Sequence, residues 1–264
     1  MYLKIGVFDS GLGGLTIVSA LLKKFNNVQV YYVADTDAAP YGQKAQEEIL
    51  EHSLQVTEYL IKHHNIDALV VACNTATSAA IKELRQKFPN IILVGTEPGI
   101  KPAIQLSNTG QIGVLATVAT LKGEKYSTLV NELSVNNSVQ FYEQACPGLV
   151  EHIELGDLDS KQMNQLLQNW LVPMKEKKVD TIVLGCTHYP IVARNIKNIM
   201  GQNTKLIETG YAIANRLESL TRFKSFRSLD KTEVFIYSTG NNLNKKLVDT
   251  ILDHWINCGK IEIR

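Results

Sequence analysis

Two thiols stand in matched settings. Cys73 ends the apolar run of DALVVACNTAT and Cys186 ends that of DTIVLGCTHYP, and each run starts at an aspartate, Asp67 or Asp180. A cysteine whose pKa is near 8.5 can give up and regain a proton close to neutrality. Two of them facing each other across a cleft suit one reaction: one sulfur takes a proton from a carbon while the other delivers a proton to the opposite face. The stereocentre inverts and no cofactor is needed. A Cα–H is only weakly acidic, so such a site must also desolvate the substrate and hold its carboxylates against N–H and hydroxyl donors. The Ser, Thr, Asn and Tyr residues near the two thiols are of the right type.

The neighbouring residues have chemistry of their own. FDSGLGGLT is a strand, a glycine turn and a helix start, which aims N–H groups at an anion such as a carboxylate or phosphate; it is neither the dinucleotide fingerprint nor a P-loop, and glycine also serves such turns for steric reasons alone. ACNTATSAA has the same design. A thiol at a helix N-terminus is expected to have a lowered pKa and to be partly thiolate at neutrality, whereas a core reading of Cys73 is the bland alternative. Thr187 and His188 follow Cys186 directly, and an imidazole there can take or return the thiol proton. Asp9 can serve the other thiol, or simply cap the helix that follows it.

The elements that would position these groups alternate between short apolar runs and amphipathic stretches, the pattern of a mostly parallel sheet with crossover helices. Strands are expected at 5–8, 28–33, 68–72, 91–94, 112–115, 139–142, 181–184 and 205–207, with a helix at 211–220 and a strand at 234–237 after them. QEEILEHSLQVTEYLIKHH reads as a helix with Leu50, Leu54, Thr57 and Ile61 on one face. Asp9, Ser10, Cys73, Asn74, Thr75, Thr117, Cys186, Thr187 and His188 all fall just past strand ends, where open α/β sheets bind ligands.

The chain also echoes itself. IGVFDS at Ile5 matches IGVLAT at Ile112, VQVYYVA at Val28 matches VQFYEQA at Val139, and residues 93–96 loosely match 206–209, all in the order and near the offset of the two cysteines. Duplication explains this better than chance. The expected organisation is a first α/β domain of residues 1–97 plus a C-terminal return, 208–264, and a second of 98–207, with the cleft between them.

A length of 264 residues and an apolar content of 45% allow such cores. The 27 Lys and Arg offset 26 Asp and Glu without forming a basic stripe, which argues against nucleic acid and membrane surfaces and for a small-molecule ligand. No apolar stretch approaches a membrane span, and the first residues lack the features of a signal peptide, so a cytoplasmic protein is expected. The cysteines at 73, 146, 186 and 258 have neither a disulfide framework nor CxxC spacing, so free thiols and no metal are expected.

FDSGLGG, the PYG of DTDAAPYGQK, ACNTAT, ATVAT, ACPGLVEHIE and LGCTHYP occur in the order found in glutamate racemases, and residues 5–191 resemble that family closely. The resemblance implies two α/β domains related by a pseudo-twofold axis, cofactor-independent interconversion of L- and D-glutamate for peptidoglycan, and a homodimer. By the same resemblance Cys73 and Cys186 are the acid/base thiols for the D- and L-enantiomer respectively, assisted by Asp9 and His188. Glu154, rather than Glu151, is the glutamate near the second thiol, since Glu151 stands where many relatives have proline. Ser10, Tyr41, Gly42, Asn74, Thr75 and Thr187 match substrate-binding positions, as do Thr117 and Thr120 of the ATxxT segment. Residues 37–39 depart from the pattern at the rim of the cleft, and Cys146 and Cys258 read as buried or incidental thiols. The alternatives are a related racemase or isomerase for another acid, a thiol hydrolase using Cys186 and His188, and a non-catalytic amino-acid-binding module.

Overall fold

A computed structural model describes residues 2–222, 231–241, 243–253 and 260–263. The strands are β1 (Lys4–Asp9), β2 (Gln29–Ala34), β3 (Ala68–Val71), β4 (Ile92–Gly95), β5 (Gln111–Ala116), β6 (Gln140–Ala145), β7 (Thr181–Gly185), β8 (Lys205–Ile207), β9 (Glu233–Ser238) and β10 (Lys260–Ile263). The helices are α1 (Leu15–Lys24), α2 (Gln46–His64), α3 (Asn74–Lys87), α4 (Ile100–Leu106), α5 (Val118–Lys122), α6 (Glu124–Asn137), α7 (Leu149–Glu154), α8 (Lys161–Glu176), α9 (Ala193–Met200), α10 (Gly210–Thr221) and α11 (Lys245–Leu252). Strand and helix alternate throughout, so every strand pairing in the two sheets is parallel.

One sheet has the order β10-β9-β2-β1-β3-β4 and the other β6-β5-β7-β8. Within the first, β2-β1-β3-β4 repeats the order of the whole second sheet. The registers repeat as well: Ile5 pairs with Val30 and Ala68, while Ile112 pairs with Phe141 and Thr181. The sequence echoes thus fall on equivalent strands. Direction of winding reverses at β1 in one sheet and at β5 in the other, and a crevice opens at the carboxyl ends of strands at such a point. Asp9 ends β1 and Cys73 follows β3; Thr117 and Cys186 follow β5 and β7.

Asp67 and Asp180 tie this frame together at the other ends of the strands. The Asp67 carboxylate accepts the Lys4 N–H at 2.9 Å. Asp180 accepts from Ser107 Oγ at 2.6 Å and from the N–H groups of Asn108 at 2.7 Å and Thr109 at 3.1 Å. Each aspartate therefore clips its strand to the segment that leads into the first strand of its half.

The halves share a hydrophobic core. One cluster runs from Ile5, Leu12, Leu15 and Val18 of the first half to Leu149, Ile153, Leu167 and Leu184 of the second, while separate clusters fill the outer face of each sheet. The most buried stripe of α2 is Ile49, Ser53, Val56, Thr57 and Leu60, whereas Leu50, Leu54 and Ile61 are half-buried. The expected face is rotated because Ser53 hides within the apolar stripe. Its hydroxyl and that of Thr57 donate back to the carbonyls of Ile49 and Ser53, both at 2.7 Å, so burial leaves neither unsatisfied. Among the described residues, no helix is long and apolar enough to cross a membrane.

Candidate active site

A narrow cavity of ≈ 50 Å³ lies between the carboxyl ends of the two sheets. Asp9, Ser10, Tyr41, Gly42, Cys73, Asn74 and Thr75 line it from the first half, and Thr117, Cys146, Cys186, Thr187 and His188 from the second. Cys73 and Cys186 are 6% and 7% exposed, so the protein itself keeps nearly all water from both. Of the expected residues, Thr120 and Glu154 stand behind this wall. Thr120 braces Thr117, with their hydroxyls 2.9 Å apart.

Cys73 is the N-cap of α3, and its sulfur accepts the Ala76 N–H at 3.4 Å. That contact lowers a thiol pKa, as expected from sequence, but it loses here. Burial, followed by the charge of Asp9, outweighs the Ala76 and Ser10 hydrogen bonds and pushes the thiol up to about 12. Burial thus works against the partly ionised Cys73 expected from sequence: a helix N-terminus does not offset complete loss of hydration beside a carboxylate.

Asp9 is fully buried. Its Oδ1 accepts from Ser10 Oγ at 3.2 Å and the Gly11 N–H at 3.1 Å, and Ser10 Oγ lies 3.9 Å from Cys73 Sγ. Its Oδ2 accepts from Thr187 Oγ1 at 2.6 Å. Burial raises the carboxyl pKa despite the opposing influence of His188 and these bonds. Asp9 thus connects the surroundings of both thiols. A second bond crosses between the halves at the equivalent place, where the hydroxyls of Thr75 and Thr117 are 2.9 Å apart.

His188 Nδ1 lies 3.7 Å from Cys186 Sγ, and Nε2 lies 2.5 Å from Glu154 Oε1. Burial alone would favour neutral imidazole, but Cys186 and Glu154 together raise the His188 pKa well above its ordinary value. Glu154 shifts the other way: burial would raise its carboxyl, yet His188 and the Leu12 N–H hold it below the usual range. These directions describe an imidazolium–carboxylate pair. Gly13 N is also 3.1 Å from Nε2, but it can donate there only when Nε2 is unprotonated. The charge-assisted bond to Glu154 is shorter and takes precedence.

Of the two readings of the glycine turn after β1, anion cradle or steric turn, the geometry favours the steric one. Leu12 N–H donates to Glu154 at 2.5 Å and Gly11 N–H to Asp9, so the protein's own carboxylates occupy the donors. The glycines serve contact: a Cβ on Gly13 would overlap the His188 ring and one on Gly11 would overlap Glu154 Oε1. The turn is a floor for the second half's His188–Glu154 pair.

Tyr41 lines the cavity, but its hydroxyl donates to Asp35 Oδ2 at 2.5 Å, so its ring and the adjoining backbone face the space. Asp35 also accepts from Thr239 Oγ1 at 2.8 Å. Asn74 Nδ2 reaches Thr96 O at 3.5 Å, whereas its buried Oδ1 has no hydrogen-bond partner among the described residues. Cys146 is buried and also lines the cavity; its thiol donates to the Gln144 carbonyl at 3.4 Å, and burial holds its pKa above the ordinary range. Cys258 lies outside the described residues. Gln43 and Glu151 complete the rim, and no sequence motif singled out Gln43.

The profile of the Asp/Glu/Hydantoin racemase family matches residues 13–217. A glutamate racemase of Sulfurovum sp. (strain NBC37-1) is 52% identical over 253 residues, which cover 96% of this chain and 95% of that one. Among solved structures, the Escherichia coli glutamate racemase in complex with L-glutamate and the activator UDP-MurNAc-ala superposes with a TM-score of 0.85, at 27% identity, covering 100% of this chain and 98% of that chain. The Francisella tularensis glutamate racemase in complex with D-glutamate superposes with a TM-score of 0.82, at 28% identity, covering 99% and 97%.

Proposed function

The chain belongs to the Asp/Glu/Hydantoin racemase family, within which its close relatives are glutamate racemases, and from that premise we propose that it inverts glutamate by proton transfer between two thiols. The observation that carries the mechanism is the placement of Cys73 and Cys186 at equivalent strand ends of the two halves, lining one cavity. Cys186 in its thiolate form takes the Cα proton of L-glutamate, leaving a carbanion. Cys73 gives its own proton to the opposite face, and D-glutamate forms. The sulfurs have then exchanged roles, which equips them for the reverse reaction.

The surroundings match the demands of that step. Cys73 enters protonated, as a donor must. His188 Nδ1 faces Cys186, so a proton leaving or reaching that sulfur has a partner, and Glu154 holds the imidazole from behind. Ser10, Thr75, Thr117 and Thr187 bring hydroxyls to the cavity wall, and these turn from Asp9 and from one another to meet the two carboxylates. Asn74 Oδ1 is an unsatisfied buried acceptor suited to the substrate ammonium. Residues 1–97 plus 208–264 and 98–207 act as two domains that part to admit substrate. The D-glutamate is made in the cytoplasm and feeds peptidoglycan synthesis.

The test is racemisation without added cofactor or metal. Either enantiomer should go to the racemate, and in deuterated water the early product should be the opposite enantiomer labelled at Cα. Persistent optical rotation would refute the activity. Cys73→Ser and Cys186→Ser should each collapse racemisation; full activity in either would refute the two-thiol mechanism. A thiol hydrolase would need only Cys186 and His188 and leaves Cys73 without a task.

A further inference from the structure

Gln43 Nε2 donates to Glu151 Oε1 at 2.8 Å, joining residues on opposite sides of the cavity. Gln43 ends the short 3₁₀ turn Tyr41–Gln43 after β2, and Glu151 lies on α7 after β6, so the bond spans the two halves. Both ends are firmly mounted. The Tyr41 hydroxyl anchors the turn to buried Asp35, and α7 is fixed by Leu149 and Ile153, both 0% exposed. Beneath the bond, Gly42 approaches so closely that a Cβ there would meet Thr117 Cβ at 3.0 Å.

We propose that Gln43 and Glu151 form a clasp across the mouth of the cleft, whose opening gates passage of the substrate; this rests on the glutamate racemase reading. The narrow cavity holds only a few waters, so an amino acid with two carboxylates enters only when the halves part. Two rigidly mounted partners cannot follow each other through that motion, and the bond must break.

Because the clasp joins the two rims of the cleft, it resists entrance and exit alike. Breaking it should speed both while leaving the equilibrium nearly unchanged. The measurement is NMR lineshape analysis of ¹³C-labelled D-glutamate in a Cys73→Ser background, which binds without turnover and yields the dissociation rate and Kd together. Gln43→Ala and Glu151→Ala should each raise the dissociation rate by about three- to ten-fold, the worth of one partly exposed hydrogen bond to a charged group. Kd should stay within about two-fold. The double variant should be no faster than either single one, and Glu151→Gln, which keeps an acceptor, should stay near the parent. Dissociation rates unchanged in both alanine variants, or additive in the double, would overturn the clasp. Absence of D-glutamate binding in the parent would instead overturn the reading on which it rests.

Discussion

Glu154 Oε1 lies 2.5 Å from His188 Nε2 and accepts the Leu12 N–H with the same oxygen, so one carboxylate joins the second half's imidazole to the first half's glycine turn. Glu154 touches no part of the cavity and acts on Cys186 only through His188. Its contribution is to keep the imidazole oriented and charged.

Glu154→Gln tests that role. The His188 pKa is raised in the folded protein, so its interaction with Glu154 is fully present below the ordinary histidine value and is lost as pH rises through the folded value. The depressed Glu154 carboxyl keeps the pair intact down to acid pH. Removing the charge lets the His188 pKa fall, so the alkaline limb of the kcat profile should shift to lower pH and kcat above neutrality should drop about ten- to a hundred-fold. The enantiomers have equal free energy, so kcat/KM must fall equally in both directions. A profile unmoved in pH would contradict the assignment.

Gly13→Ala tests the glycine turn as a floor. The added methyl would overlap the His188 ring, which is 1% exposed and has no room to retreat. Overpacking of this kind costs about 1–3 kcal/mol. Racemisation should fall at least about a hundred-fold while circular dichroism remains native, because the displaced imidazole no longer faces Cys186. An anion cradle, by contrast, would tolerate the change and show chiefly a raised KM.

Much of this was legible in the residues, and the exceptions share a cause. Alternation of apolar runs located the parallel strands, and the echo between Ile5 and Ile112 anticipated two sheets of matching order. Those signals are local or periodic. The failures arise where a distant residue intrudes. The donors of FDSGLGG are taken by a glutamate 142 positions away, and Asp9, with complete burial, overrules the helix start at Cys73. Ser53 joins the buried stripe of α2 only because its hydroxyl turns back on its own helix. Gln43 carries no motif and becomes visible once α7 is folded opposite it.

The two aspartates that begin the cysteine runs yield a prediction about stability. Asp180 accepts four hydrogen bonds, from Ser107, Asn108, Thr109 and Thr181, which outweigh its partial burial and depress its pKa. Asp180→Ala should cost about 1–3 kcal/mol and lower Tm by roughly 3–10 °C. A depressed carboxyl contributes stability above its unfolded pKa and loses it as pH falls through the folded one. The Tm gap between parent and variant should therefore narrow in acid. A gap independent of pH would mean that packing, not charge, holds the clip.

Cys73 gives the most direct test of the electrostatics. With its pKa pushed up to about 12, its thiolate fraction at neutrality is far smaller than that of a free cysteine. Alkylation of Cys73 by iodoacetamide, followed by peptide mass spectrometry, should be slow at neutral pH. Its rate should climb about ten-fold per pH unit and continue rising well past the ordinary thiol value of about 8.5 without levelling off. Asp9→Asn removes the nearby negative charge and should speed the labelling at every pH. If the helix N-terminus prevailed over burial, the rate would already level off near or below that ordinary value, and Cys73 would rest as the base rather than the acid of the pair.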